Sequence, residues 1–568
     1  MHLVDSLGKN KNIEFIGCLH EQAAVIEADA YSQYTNNIGV ALVTSGPGST
    51  NAVTGVAGAW IDSVPVLILS GQVKRKDLLA GKGVRQMGIQ EVNIIPMVKS
   101  ITKYAVTVME PEKIRYHLEK AISLARSGRP GPVWLDIPLD VQGSQIDETS
   151  LEGFQESEQG QASGEQKLGK LVNRTIELLN ASKRPVILAG NGIRISGAVE
   201  KFLELVETLK IPVLTTWKAI DLLEENHSLF FGRPGSIASR YANFVQQNSD
   251  FIMTIGARLD LGQVGHNYES FALKAKKIVV DIDEAEIKKT GIDIDVLVCA
   301  DAKKFICEML KKGQAVEDKD RSKWFKRCRD WKERYPIILA EYKADGQYAN
   351  TYHLIDVLSE VMNKDDVLVP GSSGSCSEIT LQSFRVKAGQ RVFNNPGLGS
   401  MGFGLPASVG ACISSSKKRT ISIIGDGGLQ NNIQELANVS SRDLPIKIFI
   451  LNNNGYASIR MTQKIHFNSH FVCCDPASGL PMPSIEKIAR AYGIEFVRIA
   501  NNSELEEKVI ETLNMSGPVI CELIVDPMLP TMPKLSSEVK PDGSIVSKPL
   551  EDLWPLLDRD EFESNMTL

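Results

Sequence analysis

The chain has 568 residues and a formal net charge of −6, with the apolar and charged fractions of an ordinary globular protein. A chain of this length is expected to form roughly three or four domains. The small net charge, with no basic stripe, argues against nucleic acid as a partner, and the longest apolar runs, such as Val64 to Leu69, are too short to cross a membrane.

The nine cysteines are scattered and include no CxxC pair, so they suggest neither a disulfide framework nor a zinc site. His2 and Asp5 interrupt the start of the chain, which is unlike a signal peptide. These features predict a cytoplasmic protein that contacts neither nucleic acid nor membrane.

Residues 1–142 alternate between helix and strand patterns. The segment from Met1 to Leu7 is typical of a helix, and Ile13 to Leu19 is typical of a short strand. A buried strand is predicted at Val40–Thr44, and the turn Ser45–Asn51 after it leads into a helix whose N-terminus can receive an anion or another ligand. Strands alternating with helices predict an open parallel α/β sheet.

Residues 143–166 are rich in Gln, Glu, Ser and Gly and are predicted to form a linker. A second α/β unit is predicted over 167–325. Its turn Gly190-Asn191-Gly192 lacks the third glycine of a dinucleotide fingerprint, so a tight strand–helix turn is the preferred interpretation. The charged segment that follows predicts a connecting helix at 326–350 with one buried face.

The third unit, predicted over 351–530, carries the polar strand ends on which the functional prediction depends. Asp426 and Asn453 each follow an apolar run typical of a buried parallel strand. They lie 27 residues apart, about one strand–helix–strand crossover, so the two loops can be neighbours at one sheet edge. Carboxylate and amide oxygens beside a glycine-rich turn suit Mg²⁺ held against a diphosphate, and an ordinary strand-end turn is the alternative. The proline-rich tail, 531–568, is predicted to cover the surface.

Seven motifs, in this order and spacing, resemble the large catalytic subunit of acetolactate synthase and its thiamine diphosphate-dependent relatives. They are HEQAA at 20–24, TSGPGSTN at 44–51, GRPGPVWLDIP at 128–138, GARLD at 256–260, GSMGFGLP at 399–406, GDGGLQ at 425–430 and LNNN at 451–454. The resemblance implies three doubly wound parallel-sheet domains, which bind the pyrimidine, a nucleotide-like ligand and the diphosphate with Mg²⁺. It also implies an active site between the first domain of one subunit and the third domain of another, and so a homodimer or homotetramer.

By this resemblance, Glu21 is the carboxylate that protonates the far ring nitrogen of the cofactor and thereby forms its reactive imino group. Locally, a glutamate favoured by the dipole at a helix N-terminus explains Glu21 equally well. Gln90 matches a family glutamine near the reacting carbon. Pro47 and Asn51, in the glycine-rich turn, are assigned to cofactor binding.

The third unit supplies the other predicted ligands. The resemblance makes Asp426, Asn453 and the carbonyl of Gly455 the metal ligands. Met401 is implied to support the bent cofactor from below, and a flexible core residue is the alternative for a methionine. The remaining residues predicted to contact the cofactor are Gly374, Ser375, Gly399, Gly425, Gly427, Gly428 and Tyr456.

A second ligand is implied for the central unit. Arg258, Asp260 and Asp281, with neighbours Ile282, Asp301 and Ala302, fall where acetolactate synthases bind FAD. The segment 232–235 departs from the family pattern, so the sequence does not decide whether the central unit binds FAD.

Other departures concern the start of the chain and the acceptor pocket. The family's first strand and the glycine-rich loop after it should precede His2, which suggests that the start is misassigned or truncated. Thr462 stands nine residues after Asn453, where the family usually has a tryptophan, and Ser458 and Arg460 are also atypical. The motifs therefore predict the chemistry at thiamine diphosphate, but they do not predict which acceptor substrate receives the acyl fragment.

The predicted function is thiamine diphosphate-dependent decarboxylation of a 2-oxoacid, first of all pyruvate, with acyl transfer to a second carbonyl compound. One alternative is a related decarboxylase or carboligase with another acceptor. Another is a non-catalytic family member, which would explain the missing N-terminal strand and loop. A regulatory subunit can be neither predicted nor excluded from the residues.

Overall fold

The computed structural model of the chain describes residues 1–79, 81–155, 161–540, 542 and 544–567. In this part of the chain the strands form three parallel sheets, of four, five and six strands, and one antiparallel pair. Helices flank the three parallel sheets. The predicted fold class, three parallel-sheet α/β units, is confirmed.

The first sheet has the strand order β1-β2-β4-β3, with β1 at Gly39–Val43, β2 at Val66–Gln72, β3 at Tyr104–Thr107 and β4 at Val133–Pro138. Every residue of β4 is buried, as expected of a strand covered on both faces. The helices of this unit are α1 His2–Lys9, α2 Glu21–Thr35, α3 Pro47–Ile61, α4 Ile94–Val98, α5 Ile114–Arg126 and α6 Leu139–Gln142.

The second sheet has the order β6-β5-β7-β8-β9, with β5 at Pro185–Ala189, β6 at Val213–Thr215, β7 at Phe251–Ile255, β8 at Lys276–Asp281 and β9 at Val296–Cys299. Its helices are α7 Gln161–Ala181, α8 Gly192–Ile195, α9 Val199–Leu209, α10 Arg240–Gln247, α11 Leu261–Val264, α12 Glu284–Lys288, α13 Ala302–Lys311 and α14 Ser322–Arg334.

The third sheet has the order β11-β10-β12-β13-β15-β14, with β10 at Val367–Pro370, β11 at Arg391–Val392, β12 at Thr420–Gly425, β13 at Ile446–Asn452, β14 at Glu495–Ile499 and β15 at Val519–Ile524. Its helices are α15 Thr351–Val361, α16 Ser375–Ser383, α17 Gly404–Ser414, α18 Asp426–Leu429, α19 Leu436–Ser441, α20 Ala457–His466, α21 Ile485–Ala491 and α22 Leu505–Asn514.

Short 3₁₀ helices connect many of these elements. They lie at Arg75–Asp77, Lys99–Ile101, Pro111–Lys113, Trp217–Ala219, Tyr268–Ser270, Gly313–Ala315, Ala340–Lys343, Ile433–Glu435, Pro476–Ser478 and Asn502–Glu504. Among the residues with described placement, no helix combines the length and the apolar character that a membrane span requires.

The strand register explains why the two polar loops of the third unit meet. Strands β12 and β13 pair in parallel, and Gly425 lies opposite Leu451. Both strands are apolar and almost wholly buried, as is typical of the centre of a parallel sheet. The loops that begin at Asp426 and Asn453 therefore leave the same edge of the sheet side by side.

Helix α2 joins the first unit to the third. It packs along α17, and a Cβ atom added to Gly410 of α17 would lie 2.4 Å from the carbonyl oxygen of Glu27. A side chain larger than hydrogen would therefore separate the two helices. This close contact fixes the position of α2, which begins at Glu21, against the third unit.

The structure corrects the predicted connecting helix at 326–350. Helix α14 ends at Arg334, and Trp324, Cys328 and Trp331 on one of its faces are buried in the core of the central unit. The helix therefore belongs to the second unit because its aromatic face completes that core. The segment predicted as a strand, Ile13 to Leu19, forms no strand.

The C-terminal tail is also more than a surface cover. After an antiparallel pair, β16 Ser537–Val539 and β17 Ile545–Ser547, it ends in α23 Arg559–Met566. Leu550 is buried in the same core as Trp331, and the buried side chain of Asn565 accepts a 2.9 Å hydrogen bond from the indole N–H of Trp331. The apolar residues of the tail thus pack against the central unit.

Candidate active site

Asp426 connects the two loops at the edge of the third sheet. Its side chain is buried, and its two carboxylate oxygens accept hydrogen bonds of 2.9 Å from the backbone N–H groups of Gly427 and Gly455. Burial raises the pKa of this carboxyl to about 6, although the two N–H donors and the charge of Arg460 act in the opposite direction. The carboxylate is thus held in place by backbone N–H groups from both loops, that of Gly427 and that of Gly455.

Asn453 offers a free oxygen in the same loop that binds this carboxylate through Gly455. Its side chain is 7 % exposed, and its Oδ1 atom is buried with no hydrogen-bond partner in the described part of the chain. A buried amide oxygen without a donor costs free energy unless a ligand satisfies it. Since hard cations prefer carboxylate, amide and carbonyl oxygens, Asp426 and Asn453 fit a Mg²⁺ ion.

The turn that follows Asp426 packs closely against two side chains, those of Tyr456 and Met401, at Gly427. A Cβ atom added to Gly427 would lie 2.5 Å from Cε1 of Tyr456 and 3.5 Å from Cε of Met401. Glycine therefore lets this turn pack directly against both side chains, which a larger residue would displace.

The other residues predicted to bind the cofactor border the same sheet edge. Gly374 has a φ of +70° and lies against the hydroxyl of Ser458, and Gly399 has a φ of +67° and lies against the carbonyl of Ser372. Gly425 ends β12, Gly428 lies within α18, and Ser375 begins α16. We call Asp426, Asn453, Gly455 and these neighbours the second half-site.

A separate cluster forms around Glu21, and we call it the first half-site. Asn51 donates a 3.1 Å hydrogen bond to Oε2 of Glu21, and a Cβ atom added to Gly48 would lie 3.2 Å from Oε1. In the same turn, a Cβ atom on Gly46 would lie 2.4 Å from the carbonyl oxygen of Gln90. The structure therefore brings together Glu21, Asn51 and Gln90, with Pro47 in the turn between them. Glu21 is partly accessible, and Pro47, Asn51 and Gln90 are exposed.

Glu435, from the third unit, binds the backbone just before Glu21, and nothing in the sequence indicated it. Its Oε1 accepts hydrogen bonds of 3.0 and 3.1 Å from the backbone N–H groups of Leu19 and His20, which immediately precede Glu21. Its Oε2 accepts a 2.7 Å hydrogen bond from the amide of Asn438. Because two of its three partners are backbone groups more than 400 positions away, no local pattern predicts this role.

A buried polar network supports the first sheet. The carboxylate of Asp136, on β4, accepts hydrogen bonds from Ser70, Gln72 and Thr107 at 2.6, 3.0 and 3.2 Å. Burial raises the pKa of Asp136 to about 6, and these three donors act against the shift. A single acidic residue in the apolar run Val-Trp-Leu-Asp-Ile-Pro was the available sequence signal, because carboxylates are rarely buried without partners.

The predicted nucleotide residues line a cavity of about 660 Å³ where the three units meet. Arg258 and Asp260 lie in its wall, with Arg258 donating a hydrogen bond of 3.2 Å to the carbonyl of Ile61. Asp281 also lines the cavity, and burial raises the pKa of its carboxyl. The cavity further contacts Ile282, Asp301, Ala302 and Gly397.

The three atypical residues beyond Asn453 differ in the exposure of their side chains. Ser458 is exposed beside Gly374, and the hydroxyl of exposed Thr462 donates to the carbonyl of Ser458. Arg460 is buried instead and points into the loop that carries Asn453. Only two of the three positions are therefore accessible on the chain surface.

Sequence profiles of one enzyme family match the three units. The profile described as "Thiamine pyrophosphate enzyme, N-terminal TPP binding domain" matches residues 1–97, the central domain of the same family matches 172–309, and its C-terminal TPP binding domain matches 372–523.

Relatives with similar sequences extend over almost the whole chain. The "Probable acetolactate synthase large subunit" of Methanocaldococcus jannaschii is 33 % identical over 92 % of this chain and 88 % of its own length. The "Acetolactate synthase large subunit" of Cyanidium caldarium is 32 % identical over 91 % of this chain and 87 % of its own. The protein of that name from Lactococcus lactis is 31 % identical over 96 % of this chain and 91 % of its own.

Proposed function

Because the chain belongs to the thiamine pyrophosphate enzyme family and is related along most of its length to acetolactate synthase large subunits, we propose that it is a thiamine diphosphate-dependent carboligase. In this proposal it decarboxylates a 2-oxoacid, first of all pyruvate, and transfers the acyl fragment to a second carbonyl compound.

The observation that carries the proposal is the free, buried oxygen of Asn453, in the loop whose Gly455 N–H group binds the buried carboxylate of Asp426. Together with the Gly455 carbonyl, these groups would hold Mg²⁺, and the glycine-rich turn at Gly427 and Gly428 would approach the diphosphate. Bound thiamine diphosphate supplies a stabilised carbanion and an electron sink, which is the chemistry that decarboxylation of a 2-oxoacid needs.

Glu21 would hold and exchange a proton at the far nitrogen of the cofactor's pyrimidine ring. Its Oε2 is bound to Asn51, which orients the carboxylate, and the side chain stays partly accessible so that it can meet a ligand. Positioned proton transfer of this kind contributes typically about 10²–10⁴-fold to a rate. Gln90, held against Gly46, would lie near the reacting carbon.

The active unit in this proposal is a cytoplasmic homodimer or homotetramer. Within one chain Glu21 and Asp426 belong to separate hydrogen-bonded clusters. Each site would therefore combine the first half-site of one subunit with the second half-site of its partner. A regulatory subunit is a further hypothesis, which rests on the words "large subunit" in the names of the relatives.

We also propose that the central cavity takes a nucleotide, with FAD as one candidate. Its volume of about 660 Å³ falls within the range of roughly 300–1,000 Å³ that is usual for ligand pockets. In this proposal Asp281, at the end of β8, would bind a ribose hydroxyl of the nucleotide. The absorption spectrum of the purified protein would separate a flavin from a colourless nucleotide.

The main experiment incubates the protein with thiamine diphosphate, Mg²⁺ and pyruvate, measures CO₂ release and identifies the products by NMR. Acetolactate is the expected product, and added aldehydes or other 2-oxoacids test the alternative acceptors that the exposed Thr462 leaves open. Asp426→Asn should abolish metal-dependent activity, and Asp147→Asn, at an exposed carboxylate of the linker, should not. No CO₂ from any 2-oxoacid would refute the proposal.

A further inference from the structure

We infer that Arg460 is a positioning residue that holds the metal loop, residues 453–455, in its metal-binding form and takes no part in binding the substrate. The inference rests on the proposed function, because it concerns the Mg²⁺ site of that function. The side chain of Arg460 points into the protein, towards the carbonyl of Asn453. Arg460 is the one buried residue of helix α20, whose other residues are partly or fully exposed.

The guanidinium of Arg460 binds two consecutive carbonyls of the metal loop. Its Nη1 donates to the carbonyl oxygen of Asn453 at 3.1 Å, and its Nη2 donates to that of Asn454 at 2.9 Å. Because one rigid planar group holds both oxygens, the peptide unit between them is fixed in orientation.

The same guanidinium connects this loop to two other segments. Nη1 also lies 3.3 Å from the carbonyl oxygen of Pro527, after β15, and Nη2 lies 3.4 Å from that of Cys474. The Nε atom lies 3.4 Å from a carboxylate oxygen of Asp475. All three nitrogens of the guanidinium thus face acceptors within the protein.

The loop needs this support because its backbone is unusual. Asn454 has a φ of +59° and Gly455 has a φ of +137°, and such conformations persist where surrounding contacts determine them. A Cβ atom on Gly455 would lie 2.1 Å from the carbonyl oxygen of Cys474, so the loop also packs directly on the segment that Arg460 binds. In this form Gly455 donates to Asp426 and the Oδ1 atom of Asn453 stays free.

An arginine close to a 2-oxoacid site would ordinarily suggest a clamp for the substrate carboxylate. Here the side chain is 5 % exposed, and its donors are directed at carbonyls and at Asp475. Arg460 is therefore assigned to the metal loop, and selection of the acceptor falls to accessible neighbours such as Ser458 and Thr462.

The test is Arg460→Lys, which keeps the positive charge and loses the planar group that spans two carbonyls. Calorimetric titration of Mg²⁺ into the protein with saturating thiamine diphosphate should show about a 10–100-fold weaker binding, the usual cost of removing a group that orients metal ligands. The KM for pyruvate at saturating Mg²⁺ should stay within about twofold of wild type. Lys464→Gln, on an exposed residue of the same helix, should change neither quantity.

Unchanged Mg²⁺ affinity in Arg460→Lys would overturn the inference, and so would a large rise in KM at saturating Mg²⁺. If Arg460→Lys does not fold, Asp475→Asn takes its place, since it removes one partner of the guanidinium, and Mg²⁺ binding should weaken several-fold; unchanged binding there would again overturn the inference. Failure of the wild-type protein to bind Mg²⁺ and thiamine diphosphate would instead refute the proposed function, before any variant is compared.

Discussion

The two half-sites are built on sheets of the same parallel plan, yet they differ in how their carboxylates are held. Asp426 is buried, and backbone N–H groups from two loops bind its two oxygens. Glu21 is partly accessible, and its Oε2 is bound by the exposed side chain of Asn51. The second half-site is therefore assembled within one chain, whereas the first presents its carboxylate at an open surface.

This difference matches the two tasks that we propose. A metal ligand works best when its position is set before the ion binds, because preorganisation lowers the cost of binding. A carboxylate that exchanges a proton with a ring nitrogen must instead be reachable by the ligand. The accessible position of Glu21 is consistent with the proposal that a second copy of the chain completes the first half-site.

The largest effect is expected from Glu21→Gln. Removing the carboxylate that exchanges a proton should slow release of the C2 proton of bound cofactor by about 10²–10⁴-fold, while Mg²⁺ binding to the second half-site is kept. Proton exchange at C2, followed by NMR after acid quench, measures this directly. Glu14→Gln, at an exposed glutamate just before the helix, serves as the control.

If C2 exchange survives in Glu21→Gln, the role given to Glu21 is wrong. The separate hydrogen bonds of the two half-sites indicate that Mg²⁺ binding does not depend on Glu21. Loss of Mg²⁺ binding in Glu21→Gln would contradict this independence.

An intermediate effect is expected from Glu435→Gln. The change replaces the carboxylate whose Oε1 atom accepts hydrogen bonds from the backbone N–H groups of Leu19 and His20. The free energy of unfolding should therefore fall by about 1–3 kcal/mol. The entry to α2 should also become less ordered, and C2 exchange should slow less than in Glu21→Gln. Chemical denaturation and the same NMR assay measure both quantities.

Glu507→Gln, at an exposed position of α22, is the matched control for Glu435→Gln. Equal stability of the two variants would mean that the hydrogen bonds of Glu435 to Leu19 and His20 do not stabilise the protein.

The last prediction concerns the pH dependence of the sheet that carries the first half-site. The pKa of Asp136 is raised to about 6 by burial, from an ordinary value of 3.8, so the folded state binds more protons than the unfolded state between these pH values. The contribution of this group to stability is therefore present below about pH 4 and is lost as pH rises through 6. The slope is less than about 1.4 kcal/mol per pH unit, the limit for one proton.

Asp136→Asn should remove this part of the pH dependence. Denaturant titrations of both proteins at several pH values between 4 and 7 measure it as a difference of slopes. Parallel curves for wild type and variant would contradict the raised pKa of Asp136.

Local patterns in the sequence correctly predicted the parallel α/β fold class and the central strands of the third unit, whereas the predictions of a strand at Ile13 to Leu19 and of a connecting helix at 326–350 were wrong. The apolar runs before Asp426 and Asn453 predict buried parallel strands, and the structure pairs these strands as neighbours. Strand and helix patterns depend on residues a few positions apart, so they are present in the chain before it folds. The predicted roles of Glu21 and Asn453 came from the family motifs, and the structure adds their burial and partners.

Long-range packing set the features that sequence patterns left open. Arg460 is buried because carbonyls of three separate segments surround it, and Glu435 is placed by backbone groups more than 400 positions away. The tail and α14 join the central core because their apolar faces find partners there. These outcomes depend on which segments meet in space, and burial of a polar side chain is decided only when its distant hydrogen-bond partners arrive.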